Sequence, residues 1–428
     1  MGAPIQSPTW ASNLRAEGRE HFERLGYPSR KHEAWRYTST RGLQGFGDGA
    51  ATAPDDAMLS AARDLIGDMT AVSGHRLVLV NGHLCRSLST TGDENGLVIE
   101  SLDDTTEEVG RVLGTVAPAA EDAFVAMNTS HLSGGVVIRA PKNVAASEPI
   151  EILHVQATTE GTTQSRVTLI AESGSELSVI ERHIGSGDGA SLNNGVTEIS
   201  VGPSATVNHV KILEDAGDTN HVGTLAARVE RDGTFNGHLF SLGGTLGRTD
   251  LKVSLAEPGA SCSLDGLYAA RDGEHYDHYV VIDHQAPHTT SAAFYKGVVD
   301  DGGLGGFVGR VLIREGASGS NSEQMNRNLL LAPGGTVHSR PQLEIDHDDV
   351  KASHGSTVGE LDQEAIFYLK SRGLEERMAR AVLTWAFARE MVNRVPFVAL
   401  RGILTEQVAL RLSDSTGEET LQVLREAL

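Results

Sequence analysis

Between residues 134 and 345 the chain repeats one pattern at nearly constant spacing: a short β-rich run, a tight turn and a second run. The segments read LIAESGSEL, ISVGPSATV, ARVERDGTF, VSLAEPGAS, VIDHQAPHTT, VLIREGASG and NLLLAPGGTV. Aligned on Gly174, Ser204, Gly233, Gly259, His288, Gly316 and Gly335, the turns are 30, 29, 26, 29, 28 and 19 residues apart. A strand–turn–strand unit of this length, with no helical segment inside it, is the mark of a solenoid. Stacked coils bury one face of every strand in a common prism, so apolar residues are expected to alternate with exposed ones. Glycine suits the corners, where the chain turns sharply. The 48 glycines and the low aromatic content, 5%, fit thin layers and many turns. A β-sandwich also spaces its strands evenly, but nothing in it demands a fixed interval of this size. The predicted core is a right-handed parallel β-helix.

The flanks differ in texture. Residues 12–26 predict an amphipathic helix ending at Gly26, and HRLVLVNGHLCRSL, residues 75–88, predicts a hairpin about Asn81-Gly82. A Thr/Asp/Glu-rich linker and a further helix are expected before DAFVAMN, residues 122–128. After residue 360 come helical patterns: LDQEAIFYLKSRG capped by Asp362, LEERMARAVLTWAFAREMVNRVP ending before Pro396, and two more near 403–413 and 417–428. The expected organisation is a mixed α/β region over 1–125, a β-helix over 126–358 and a small helical domain over 359–428. The stripe carrying Trp385 and Phe387 reads first as core packing, and second as a partner-binding face.

Thirty-nine per cent hydrophobic residues supports packed cores, while a net charge of −21 argues against general nucleic-acid binding, which needs clustered Lys and Arg. The N-terminus lacks an apolar signal core and no apolar run reaches membrane-spanning length, so a cytoplasmic location and no membrane partner are expected. Cys85 and Cys262 form no CxxC pair, which excludes a disulfide framework and a four-thiolate cluster site built by this chain alone.

Three groups of residues are candidates for chemistry. GGTLGRTD, residues 243–250, lacks the spacing and the lysine of a phosphate loop and reads as a solenoid corner. His275, His278, His284 and His288, with Asp277 and Asp283, form a loose group. Within one strand, however, the odd separation of His275 and His278 sends them to opposite faces. His354 lies in DDVKASHGSTVGELD, read as a polar turn between a strand and a helix, with Asp346, Asp348, Asp349, Glu360 and Asp362 around it. A metal ligand, a general base and a solvated loop all remain open for it on this pattern.

HSRPQLEIDHDDVKASHGSTVGELDQEAIFYLKSRG, residues 338–373, resembles the C-terminal signature of the SufB/SufD family of iron–sulfur cluster assembly proteins. Residues 122–154 resemble the start of that family's β-helix, and KHEAWRYT, residues 31–38, resembles an N-terminal motif of its SufD branch. The resemblance covers nearly the whole chain. It implies a non-catalytic scaffold subunit that pairs with its paralogue SufB through the β-helices and docks the ABC-type ATPase SufC through the C-terminal helices. It also implies that the complex builds a nascent iron–sulfur cluster and hands it to apo-proteins. A histidine of the SufD branch at the SufB contact, implied to hold transient iron or nascent cluster, maps onto His354. The family's SufB branch is expected to offer a cysteine late in the β-helix, and residues 263–428 contain none. The rival readings are a β-helix carbohydrate-active enzyme, which needs a carboxylate pair on one face, and a structural adaptor with no metal role.

Overall fold

The computed structural model describes residues 9–46, 53–67, 69–91, 96–105, 112–157, 161–187 and 189–412. The N-terminal part holds α1 (Thr9–Leu25), α2 (Asp56–Ile66), β1 (His75–Val80), β2 (His83–Leu84), β3 (Val98–Ser101) and α3 (Ala123–Ser130). Next come β4 (Val136–Ala140), β5 (Ile150–Gln156), β6 (Gly161–Ala171), β7 (Glu176–Gly185), β8 (Ser191–Val201), β9 (Thr206–Leu213) and β10 (Thr219–Val229). They are followed by β11 (Thr234–Ser241), β12 (Leu246–Leu255), β13 (Ser261–Ala270), β14 (His275–His284) and β15 (Thr290–Val299). The last strands are β16 (Leu304–Ile313), β17 (Asn321–Leu330), β18 (Thr336–Ile345) and β19 (Lys351–Glu360). The chain then forms α4 (Gln363–Ser371), α5 (Glu376–Arg394) and α6 (Val398–Leu412). The helix expected over 417–428 lies outside the described residues.

From β5 onward, odd-numbered strands stack in one sheet and even-numbered strands in the other, each pairing in parallel with the strand one coil away. The predicted parallel β-helix is therefore present. Each coil has two faces, so the solenoid is a flattened tube between two sheets. β1 joins the odd sheet beside β5, and the hairpin about Asn81 and Gly82 is present, both residues having positive φ (49° and 87°).

One edge of the tube is a column of left-handed residues: Asn143, Gly174, Ser204, Asp232, Gly259, His288 and Gly319, with φ between 55° and 77°. Each donates its backbone N–H to the next coil, Gly174 to Pro203, Ser204 to Arg231 and Gly259 to Pro287, so the corners are stitched together as the strands are. Pro203, Pro258 and Pro287 come just before left-handed residues, the Pro-then-positive-φ order of a type II turn. This column corrects the sequence alignment. Asp232, not Gly233, holds the left-handed position, and Gly319, not Gly316, does so three coils later. Gly335 lies at the opposite edge, between β17 and β18, which explains the short final interval. A Cβ at Gly259 would also meet Asp232 Oδ1 at 2.0 Å, so a side chain there requires the Asp232 carboxylate to move aside.

The expected alternation of buried and exposed residues fails in the middle coils, where β5 is buried throughout and β8 nearly so. Both outer faces are covered. On the odd sheet, Ile180, Val210, Ile212, Phe240 and Leu267 pack under Trp385, Met391, Leu400 and Leu404 of α5 and α6. Trp385 is thus core, as its first reading had it. On the even sheet α3 lies flat, with Asn128 donating to the carbonyls of Ser165 and Asn194, both at 2.9 Å. A strand covered on both sides reads as a continuous buried run.

The KHEAWRYT segment earns its composition here. Trp35 is sandwiched between the Phe124 ring, centroids 5.0 Å apart, and the Arg248 guanidinium, 3.9 Å from the ring centre. Arg248 is fully buried; it donates to the Ala34 carbonyl and pairs with Asp250 at 2.7 Å and Asp277 at 2.5 Å. Tyr37 stacks on His338, and Glu33 pairs with Arg340 of β18 at 2.8 Å. Trp35→Ala opens a cavity and uncovers a buried cation, so urea unfolding is expected to show a loss of about 3–5 kcal/mol. A loss below about 1 kcal/mol, the level of a surface change, would contradict this packing role.

Candidate functional site

The two ends of the solenoid differ. At the N-terminal end the sheets finish in short antiparallel strands, the two-residue β2 against β1 and the four-residue β3 against β4, which leave little edge to extend. At the C-terminal end β18 and β19 are the last strands of their sheets, and their outer edges pair with nothing among the described residues. β18 is half-buried along most of its length and β19 is mostly exposed. Unpaired N–H and C=O groups on two adjacent strands form a template for another sheet.

His354 is in the middle of β19, not in a turn. Ten residues pair in register with β17, and Gln324 is the partner of His354. GSTVG looked like a loop because it is polar and glycine-rich. Gly355 packs against the Met325 side chain, whose Cε a Cβ there would meet at 2.8 Å and push aside. Alternation and register place Ala352, His354, Ser356 and Val358 on the lumen side. Ala352 touches the apolar core, and Ser356 hydrogen-bonds Ser339 at 2.6 Å, whose hydroxyl also reaches Asn326 Oδ1. His354 is exposed, and among the described residues no further coil closes the tube over it. One coil below, the buried Gln324 amide has neither its Nε2 nor its Oε1 partnered. On the other side of β19, a cavity of about 420 Å³ borders Ser353 and His354; Glu323, Arg327, Glu390 and Arg394 line it. Glu390 is held below the usual carboxylate range by the hydrogen bond from Lys296, against a smaller effect of burial.

The acids that crowd His354 in sequence do not crowd it in space. Asp346, Asp348 and Asp349 occupy the corner before β19, and from its first residue, Lys351, three steps of strand carry His354 about 10 Å further along. Any second ligand beside this imidazole must come from elsewhere. The sequence group around residue 280 also disperses. His278 bonds Ser241 at 2.9 Å, His284 bonds Thr289 and Ser291, and His288 stands exposed at a corner. Asp277 pairs with Arg248 and Asp283 with Arg314. Gly243 and Gly244 form a corner, as expected for a non-phosphate loop. Cys85 and Cys262 are free and buried, and burial pushes the Cys262 thiol up to about 12.

The sequence reading missed the one group of side chains, among the described residues, spaced to hold a metal ion: His154, Glu181 and His183. A signal was present, since 29 residues, one coil, separate the two histidines and Glu181 lies two before the second. Asp362 caps α4, accepting from Glu364 N at 2.9 Å, and Ile366 is buried, while Phe367 is 73% and Tyr368 56% exposed.

Residues 154–387 match the family described as SUF system FeS cluster assembly, SufBD core domain, and residues 5–152 match the SufBD protein N-terminal region. The chain is 26% identical over 417 residues to the iron–sulfur cluster assembly protein SufD of Escherichia coli, covering 94% of this chain and 96% of that protein. It is 27% identical over 414 residues to a SufBD family protein of Synechocystis, covering 93% and 90%. With SufD of Bacillus subtilis it shares 24% over 421 residues, covering 92% of each.

Burial pushes His278 down to about 4, with the Asp277 charge opposing and the Arg248 charge reinforcing. Its folded pKa thus lies below the unfolded value near 6.5, so the unfolded chain takes up the proton first. Its stability contribution is complete above about pH 6.5 and is lost as the pH falls toward 4. In urea unfolding at pH 7 and pH 5, the stability difference between wild type and His278→Gln is expected to shift by about 2 kcal/mol in favour of the variant at pH 5. A pH-independent difference would contradict a neutral, buried imidazole.

Proposed function

Because this chain belongs to the SufBD family of iron–sulfur cluster assembly proteins, we propose that it is the SufD-type subunit of a cytoplasmic scaffold and pairs with SufB through the open terminal coil. The observation that carries this reading is the asymmetry of the solenoid, which ends in short antiparallel strands on one side and, among the described residues, in two ten-residue strands with unpaired outer edges on the other. A second β-helix that continues the sheets beyond β18 and β19 would satisfy those backbone groups and close the lumen over His354. Iron or nascent cluster is the cargo. His354 offers it one imidazole, and SufB supplies the thiolates that this chain, with two buried cysteines, does not present there. The working division is an N-terminal region over 1–125, the β-helix over 126–358 and an ATPase-docking domain over 359–428. The chain itself acts as scaffold, with hydrolysis assigned to SufC.

His354 is exposed and not part of the core, so His354→Ala is expected to leave stability within about 0.5 kcal/mol and complex assembly intact. Iron and acid-labile sulfide in the purified complex are expected to fall several-fold. Wild-type cluster content in the variant complex would leave the chain as an adaptor with no metal role.

SufC docking is assigned to α4 and its neighbours, because Phe367 and Tyr368 are large, exposed and beside the helix's buried anchor Ile366. The double change Phe367→Ala, Tyr368→Ala is expected to abolish co-purification of SufC while β-sheet circular dichroism and SufB pairing stay unchanged. Full retention of SufC by that variant would move the docking surface elsewhere.

A further inference from the structure

The lumen has an apolar half and a polar half. In β7 the lumen-facing residues run Leu177, Val179, Glu181, His183, and in β9 Val207, His209, Lys211; the first members of each join the apolar core. The later members meet His154 of β5 and His221 of β10, and all six of these polar side chains are at least 95% buried. Register stacks the His154 ring on His183, with centroids 4.1 Å apart and planes 8° from parallel. The Oε2 atom of Glu181 is 3.0 Å from His154 Nε2 and 3.8 Å from His183 Nε2. Donor atoms bound to one zinc-type ion at about 2.1 Å lie about 3.0–3.6 Å apart; the three ligand atoms here lie within 4.8 Å of one another, and one of the stacked rings turns out of parallel for both in-plane lone pairs to reach the ion.

Two details separate this group from an ordinary buried hydrogen-bond network. The carboxylate is divided in its duties: Oε1 accepts from Thr197 at 2.8 Å and meets His209 Nε2 at 2.7 Å, while Oε2 faces the two stacked imidazoles. That arrangement fixes the carboxylate from behind, as supporting shells of metal sites do. The second detail is the number of buried polar atoms with no partner: His154 Nδ1, His183 Nε2, Asn193 Oδ1, Lys211 Nζ and both nitrogens of His221. Each costs about 1–3 kcal/mol if left so. Asn193 is 3.3 Å from His183 Nδ1. Turning its amide over puts the unpartnered oxygen on Nδ1–H and leaves the Nε2 lone pair aimed toward Glu181. Room for the rings comes from the facing sheet, where Gly195 and Gly223 pair in register; a Cβ on Gly223 would meet His221 Nε2 at 2.7 Å and Lys211 Nζ at 3.0 Å.

We propose that His154, Glu181 and His183 bind one divalent first-row transition-metal ion of the zinc or ferrous type inside the lumen, at a site separate from His354. Two imidazoles and a carboxylate match the borderline ligand preference of such ions. The site is enclosed, so the ion enters as the chain folds and then exchanges slowly. It is a resident ion that holds successive coils together, unlike cargo at the open end.

The test uses the full chain, expressed in medium supplemented with zinc or cobalt(II) and desalted before analysis. Wild type and His354→Ala are each expected to retain about one ion per chain, and the cobalt form to show the visible absorption of a low-coordinate N/O site. Glu181→Gln and the double variant His154→Gln, His183→Gln are expected to fall below about a tenth of an ion per chain. Wild type without retained metal, or equal occupancy in the folded lumen variants, overturns the proposal. If neither variant folds, X-ray absorption of the zinc-loaded wild type decides. Two imidazoles with one carboxylate support the site, and any other donor set marks an adventitious ion and overturns it.

Discussion

Parallel strands one coil apart pair without slippage from β5 to β19, so equivalent positions stack in columns along the molecule. A column is stable only if every member tolerates its neighbours above and below. At one edge that requirement yields a line of left-handed residues whose N–H groups bond the next corner. In the apolar half of the lumen it yields stacked valine, leucine and isoleucine, from Val179 and Val207 to Leu251 and Val280. In the polar half it brings together His154, Glu181, His183 and His209, residues from three coils that no local motif connects. The same rule defines the terminal coil by omission, because among the described residues β18 and β19 have a neighbour on one side only.

The sequence made the repeat legible because corner chemistry is local. A proline ahead of a left-handed residue, as in GPSA, EPGA and APHT, can be read without knowing what it packs against. The hairpin about Asn81 and the helix stop at Gly26 were legible for the same reason. Strand-face burial was not, since coverage of the middle coils comes from helices more than a hundred residues away in sequence, such as α5 over Ile180 and Val210. His354 was misread for a related cause. Lys351 to Glu360 has the composition of a loop, and only its ten-residue pairing with β17 makes it a strand. The neighbouring aspartates then seemed close in sequence to a site from which an extended backbone removes them.

The lumen group shows what a repeat reading can add once the coil length is known. Residues one coil apart are neighbours, so His154 and His183 could have been paired by arithmetic alone. Trp35 shows the opposite limit. Its segment is recognisable, yet its purpose, covering a buried Arg248 on the even sheet, depends on contacts with Phe124 and Asp277 that no spacing discloses.

The proposed pairing has a SufB partner continue the sheets from the terminal coil of β18 and β19. Amide hydrogen exchange on the chain alone and with SufB tests it most directly. Backbone groups on the outer edges of β18 and β19 face solvent in the isolated chain and would enter a ladder in the complex, so slowed exchange is expected over residues 336–345 and 351–360. The opposite end, β1 to β3, should exchange at an unchanged rate. Protection confined to β1–β3 or to the C-terminal helices, with β18 and β19 exchanging as freely as before, would contradict the account.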